Sequence, residues 1–333
     1  MNIIFMGTPT FAVPSLRTLA GSHHNILAVV AQPDRPKGRH LHHPLPPPVK
    51  ELAQELGLRV IQTPNVNHPD IVRELRVLAP DIIVVVAFGQ RLSKEFLDIP
   101  GLACINLHAS LLPKYRGAAP INWAIIKGEE VTGVTALKVI EKMDAGDIIA
   151  QESVEVMPEE TAGELEDRLS KLAPGLLMRV LEAYELSSVH YQPQREELVT
   201  LAPKLEKHHG IINWAQEAKR VHDFIRGMNP RPGAYSFLAS SAPSERWMAL
   251  ASEDSHTKKR FTILRTQLRP SNHKKTERPG TILTVSQEGI EVATQEGSIW
   301  ITLLQPEGGR IMTAAEYLRG HKLHPGGCFV SEA

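Results

Sequence analysis

An amide and an imidazole stand two residues apart, Asn106 and His108, in the run Cys104-Ile105-Asn106-Leu107-His108-Ala109-Ser110-Leu111-Leu112-Pro113. Residues 104–107 read as a strand, and period-two geometry points positions i and i+2 to the same side. Such a pair suits acyl transfer to an amine. The amide can donate hydrogen bonds to the oxyanion of a tetrahedral intermediate, while the imidazole moves protons. A second piece is Met143-Asp144-Ala145-Gly146-Asp147, between two predicted strands. A carboxylate there could orient an imidazole, stabilise an imidazolium, or hold a proton-shuttling water. Each piece alone has a plainer explanation. Asn106 and His108 could be strand-end polar groups bonded to backbone, and Asp144 could belong to an ordinary Asp-x-Gly turn. The surroundings favour chemistry at Asn106 and His108, because Leu112-Pro113 and Arg116-Gly117 form a loop before the next helix.

The elements that must hold these residues alternate in type. Apolar, β-rich runs at 2–5, 26–31, 59–62, 81–87 and 104–107 read as strands. Between them, 11–20, 49–56, 70–78 and 119–127 carry apolar residues at helical spacing. This order implies right-handed βαβ units and a Rossmann-like, doubly wound, mostly parallel sheet. In open α/β sheets, ligands bind at the carboxyl ends of the strands, where Asn106 and His108 stand. Strands at 133–140 and 147–156 and a helix over 162–184 complete a domain spanning 1–188. Residues 189–207 read as a linker, with proline, scattered charge and little periodicity. The remainder, 208–333, contains helices at 215–226 and 313–319. Its short strand-like runs lie at 234–238, 247–251, 260–267, 281–285, 289–293 and 298–304, which predicts a small, OB-like β-barrel.

The chain has 333 residues, enough for two domains, and 42% of them are hydrophobic. No apolar run is long enough to cross a bilayer. The amino terminus reads as a first strand, with no basic leader, and only two cysteines occur, Cys104 and Cys328. A reducing cytoplasm without a disulfide framework is therefore expected. The zero net charge is uneven: residues 1–203 hold 19 basic and 24 acidic side chains, and residues 204–333 hold 18 and 13. An acidic front and a basic back suit an enzyme with an appended module for a polyanion. Trp123 and Trp214 are expected in the core, Cys104 in a buried strand, and His23-His24 and His208-His209 in solvent. Gly7-Thr8-Pro9 lacks the glycine spacing of a dinucleotide site. His40, His42 and His43 offer metal ligands, but no fourth ligand at useful spacing accompanies them, so no metal is expected.

Along nearly its whole length the chain resembles the methionyl-tRNA formyltransferase family of the folate-dependent formyltransferase superfamily. The matching pieces are Gly7-Thr8-Pro9, Gln32–Arg39, Val86-Ala87-Phe88-Gly89, Asn106–Pro120 and Asp144–Asp147 in the first half. In the second they are Ala202-Pro203-Lys204, Ile212-Asn213-Trp214 and Ile225–Ala234. The resemblance implies that Asn106, His108 and Asp144 are catalytic. It implies that Ser110, Leu111, Leu112 and Pro113 contact a tetrahydrofolate, and that Phe88, Gly89, Gln90, Arg91 and Leu92 line its pteridine pocket. The donor would be 10-formyltetrahydrofolate, and the acceptor the α-amine of methionyl-initiator tRNA, with no metal required. Phe88 stands where a tyrosine is commoner in the family, which removes a hydroxyl from that region.

The resemblance also implies that the loop 34–50 reaches the tRNA acceptor end, with Arg35, Lys37 and Arg39 as its cations. The stretch 258–278 carries eight basic residues, among them Lys258, Lys259 and Arg260, against one acid, Glu277. A solvated barrel face would look the same, but with the family likeness the stretch is expected to track the tRNA backbone. A monomer is expected. Two rival enzymes share the catalytic domain: a formyltransferase acting on glycinamide ribonucleotide, or one acting on an amino sugar nucleotide. A non-catalytic RNA-binding relative is the third alternative, although it would be expected to lack at least one of Asn106, His108 and Asp144.

Overall fold

The computed structural model describes residues 1–36, 44–239, 259–269 and 277–331. Its chain folds as two units. The first comprises Met1–Pro120, Val131–Glu155 and Leu165–Pro203, and the second Ile121–Glu130, Val156–Glu164 and Lys204–Ala333.

In the first unit the apolar runs form β1 (Asn2–Gly7), β2 (Asn25–Ala31), β3 (Val60–Gln62), β4 (Ile82–Val86) and β5 (Ala103–His108). Two further strands follow, β6 (Val131–Lys138) and β7 (Ile148–Glu155). Their order across the sheet is β7-β6-β5-β4-β1-β2-β3. β1 to β5 run parallel, while β6 lies antiparallel to β5 and β7 antiparallel to β6. The winding reverses between β1 and β4, and such a switch point opens a crevice at the strands' carboxyl ends.

β4 is buried at every position, as a strand covered on both faces must be. On one face Ile4, Met6, Ala28, Val30, Ile83, Val85 and Cys104 form one cluster. Their opposite-facing neighbours Ile3, Phe5, Val29, Ile82, Val84 and Ile105 are buried too. Each such Ile, Val, Met or Phe side chain contributes about 1.5–3 kcal/mol relative to exposure, so the register of β5, and with it the aim of Asn106 and His108, is firmly held. Helices Val13–Ala20, Pro48–Glu55 and Pro69–Val77 connect the parallel strands, each with proline in its first turn, where no intrahelical N–H is needed.

The second unit is built on β8 (Ala234–Ala239), β9 (Lys259–Leu268), β10 (Ile282–Ser286), β11 (Gly289–Ala293), β12 (Ser298–Pro306) and β13 (Cys328–Val330). They pair antiparallel in the order β10-β11-β12-β9-β8-β13. A bridge from Thr281 to Cys328 joins the two ends, and the Phe329 N–H donates to the Gly280 carbonyl at 2.8 Å. The sheet thus curls into the small barrel that the strand pattern predicts. Phe261, Ile263, Ile290, Val292, Ile299, Ile301 and Phe329 fill it. Trp214 stacks on Phe329 at 5.8 Å and donates to the Ser236 hydroxyl.

Three details differ from the sequence reading. β13 is too short to show alternation, and only its pairing with β8 makes it a strand. Trp123 is half-buried rather than core, with the Lys127 ammonium 5.6 Å from its ring. His24 is buried, its Nδ1 3.3 Å from Glu185, and burial lowers its pKa more than Glu185 raises it. The strand predicted at 247–251 lies outside the described residues.

Candidate active site

Asn106 and His108 occupy the carboxyl end of β5. Asn106 pairs in register with Val85 on one side and Leu137 on the other, and His108 pairs with Thr135. Asn106 is half-buried, whereas His108 is only 6% exposed. The His108 Nε2 lies 2.9 Å from the Tyr115 carbonyl oxygen. A carbonyl can only accept, so Nε2 carries the hydrogen and donates. The other ring nitrogen, Nδ1, faces Asp144 Oδ1 at 3.6 Å. That is an ion-pair separation, longer than a direct hydrogen bond. The other oxygen, Asp144 Oδ2, accepts the Gly117 N–H at 2.9 Å.

The loop after β5 is held from inside. Ser110, fully buried, donates from its hydroxyl to the Lys114 carbonyl. The Thr135 hydroxyl donates to the Ser110 carbonyl and accepts the Leu112 N–H, and the Gln151 amide donates to the Leu112 carbonyl. Leu112 packs with Leu137 and Ile148. Leu111 and Pro113 remain half-buried. Leu111 crosses β6 at Gly133, where a Cβ would meet its Cδ2 at 2.7 Å.

The second loop follows β4. Phe88 is 2% exposed and its ring belongs to the core cluster below the sheet. Its carbonyl accepts from the Thr8 hydroxyl and the Gln32 amide. Gln90 is spent on its own scaffold, accepting the Val66 N–H and donating to the Thr63 carbonyl. Arg91 is exposed, and its carbonyl accepts from Asn67. Leu92 is half-buried. Exposed Ala87 and Gly89 both take positive φ, +49° and +84°, and among the described residues nothing lies within 4 Å of where a Gly89 side chain would begin.

Residues 192–202, read from sequence as part of a linker, are paired onto this site. Gln192 and Ile148 exchange N–H···O bonds, both 2.8 Å. Leu201–Ala202 runs parallel to Arg116–Gly117. The Tyr115 N–H donates to the Thr200 hydroxyl and the Arg116 N–H to the Thr200 carbonyl. Arg116 is 5% exposed and ion-paired to Glu196, whose pKa it lowers. Low periodicity hid these contacts, since a short strand paired over a long sequence distance leaves no local pattern.

Of the expected tRNA-contacting cations, Arg35 is exposed and donates to Gln32. Lys37, Arg39 and Lys258 lie outside the described residues, as do His40, His42 and His43. In β9, the Arg260 guanidinium stacks 3.7 Å from the Tyr235 ring centre, and Lys259 lies 5.6 Å from that of Tyr317. Arg265 and Arg269 are already paired with Glu164 and Glu288. Such exposed pairs are worth little and can yield to phosphate. Cys104 is buried and its thiol is pushed up to about 12 by desolvation, which suits a core residue and not a nucleophile. His23, His24 and Glu185 bring three potential ligand atoms within 4.8 Å of one another. They stand at the start of β2, the opposite end of the strands from Asn106 and His108.

Comparison with known proteins agrees with this layout. Residues 1–181 match the formyl transferase family, and residues 204–322 match the formyl transferase C-terminal domain. Methionyl-tRNA formyltransferase of Moorella thermoacetica is 43% identical over 326 residues, 98% of each chain. Among solved structures, the N-formyltransferase from Helicobacter canadensis in complex with folinic acid and dTDP-3-aminofucose superposes with a TM-score of 0.62 at 17% identity. That match covers 90% of this chain and 98% of the other. HypX from Aquifex aeolicus in complex with tetrahydrofolic acid gives 0.57 at 20% identity, covering 95% of this chain and 46% of that one. At those identities the likeness is one of fold. The chain belongs to the formyl transferase family, among its methionyl-tRNA formyltransferases.

Proposed function

We propose that the chain transfers the formyl group of 10-formyltetrahydrofolate to the α-amine of methionine carried by initiator tRNA, with Asn106, His108 and Asp144 as its catalytic residues. The reading rests on His108 and Asp144 meeting beside Asn106 at the carboxyl end of β5. The chain around them is similar over 98% of its length to a methionyl-tRNA formyltransferase. It includes action in the cytoplasm as a monomer, and a division into a catalytic domain at 1–188 and a tRNA-binding barrel at 208–333. Among the described residues, no helix is long and apolar enough to cross a membrane.

Three apolar side chains and one exposed backbone stretch support a folate at this site. Leu92, Leu111 and Pro113 offer half-buried apolar surface, and exposed Gly89, with no described atom within 4 Å of an added Cβ, leaves its backbone approachable by a flat ring. The bound folate supplies the formyl group. Asn106 then donates its amide hydrogens to the formyl oxygen as charge grows there. His108 is oriented by the Tyr115 carbonyl, so a proton on Nδ1 faces Asp144 and the reacting groups. Asp144 holds that imidazolium, or a water beside it, while the attacking amine loses a proton and the departing folate nitrogen gains one. The cations Arg35, Lys37, Arg39, Lys258, Lys259 and Arg260 hold tRNA phosphates.

The test is acceptor choice. Purified protein is incubated with 10-formyltetrahydrofolate and, separately, methionyl-initiator tRNA, methionyl-elongator tRNA or glycinamide ribonucleotide. Formylation of the initiator species alone is expected; formylation of glycinamide ribonucleotide instead would overturn the reading.

A further inference from the structure

We propose that Gln194 is the positioning residue of Asp144: its side-chain amide, locked by Arg116, fixes the turn that aims the carboxylate at His108. This rests on the reading of Asp144 as catalytic.

Asp144 sits at φ +50°, a left-handed conformation that aspartate tolerates better than most residues with a side chain, and one that bonds to its backbone can fix in place. Gln194 supplies those bonds. Its Nε2 donates to the Asp144 carbonyl at 2.8 Å and to the Gly146 carbonyl at 2.7 Å, so both amide hydrogens are committed to the turn. Gly146 itself is pressed against β6, where a Cβ would lie 1.8 Å from the Lys138 carbonyl oxygen.

The orientation of the amide is not free. Gln194 Oε1 accepts from Arg116 Nε at 3.0 Å and from Nη2 at 2.8 Å. A guanidinium has no acceptor, so the oxygen must face Arg116 and the NH₂ must face the two carbonyls. The next residue, Gly117, donates its N–H to Asp144 Oδ2. Arg116-Gly117 therefore acts on Asp144 twice, through Gln194 on the backbone and directly on the carboxylate. The remaining oxygen, Oδ1, is the one that faces His108.

The segment carrying Gln194 is anchored on both sides, by Gln192 against Ile148 and by Leu201–Ala202 against Arg116–Gly117. Its placement is thus set by main-chain pairing and does not depend on Asp144. Removing the two donors should release the turn while leaving the segment in place.

The test is a double-mutant cycle in the full-length protein, read as kcat and KM for formyl transfer to methionyl-initiator tRNA. Gln194→Met keeps the length and loses both donors. Gln194→Glu keeps the partnership with Arg116 but sets a carboxylate against the two carbonyls. Each is expected to lower kcat by about 10- to 100-fold, the scale of losing geometric alignment at a reacting centre, with KM for both substrates nearly unchanged. Circular dichroism and thermal melting show that the variants fold. In an Asp144→Asn background, Gln194→Met is expected to cost little more, because its effect runs through a carboxylate already gone. Should Asp144→Asn be impaired while both Gln194 variants keep normal kcat, the positioning role is wrong and the reading of Asp144 stands. If the two losses multiply, Gln194 acts other than through Asp144. A normal Asp144→Asn enzyme would remove the catalytic reading, and this proposal with it.

Discussion

Asp144 presents one carboxylate oxygen to His108, 3.6 Å from Nδ1, and gives the other to a backbone N–H. With Nε2 of the same ring donating to Tyr115, the imidazole is fixed in one tautomer and one direction before any substrate arrives. Preorganisation of this kind lowers a barrier because no dipole has to turn during the reaction.

Truncating the site should therefore cost turnover and not folding. Asn106→Ala is expected to lower kcat by roughly 10²–10³-fold, the scale of losing one oxyanion donor. His108→Ala and Asp144→Ala should each cost about 10²–10⁴-fold, the scale of acid–base catalysis. Single-turnover formylation measures the chemical step. A near-normal rate for His108→Ala would end the role assigned to it.

Gly117→Ala tests the pairing that brings residues 192–202 onto the site. At φ +132° a Cβ would lie 2.5 Å from the Ala202 carbonyl oxygen, which accepts from Ala118 and Ala119. We expect a loss of about 1–3 kcal/mol in urea unfolding, with activity falling alongside. Unchanged stability and activity would show that this pairing is dispensable.

The second unit should lose stability in mild acid. His222 is buried, between the Thr266 hydroxyl and the Pro158 carbonyl. Burial, the largest influence, pulls its pKa below the ordinary value of 6.5, against the opposing pull of the Pro158 carbonyl and Glu159. The unfolded chain then binds a proton below that pH which the folded chain refuses, so stability is full above it and is lost as pH falls towards the folded value. Urea midpoints measured from about pH 7.5 to 5.5 should decline. His222→Gln should flatten that decline. An equal slope in the variant would assign the effect to other groups.

Binding to tRNA should weaken steeply with salt. If about six phosphates are held, affinity should fall by roughly 10³-fold between 50 and 200 mM. A flat response in filter binding would remove the assignment of Arg35, Lys259 and Arg260 to phosphates. Arg260→Ala should also cost about 0.5–1 kcal/mol of stability, because its guanidinium covers Tyr235.

The sequence by itself determined the first sheet and the strand that aims Asn106 and His108. Local alternation of apolar runs with helical spacing marks parallel βαβ units, and a period of two sets two side chains on one face. It also located Asp144 in a turn and offered an imidazole or a water as its partner. Which oxygen meets His108, the tautomer that Tyr115 imposes, and the closing strand Cys328–Val330 were decided by tertiary structure. So were the pairing of Leu201–Ala202 with Arg116–Gly117, the engagement of Gln194, and the burial of His24. The physical reason is common to all of these. Each depends on a few side-chain bonds, an ion pair, burial or a strand of two or three residues, none of which leaves a periodic pattern in the sequence.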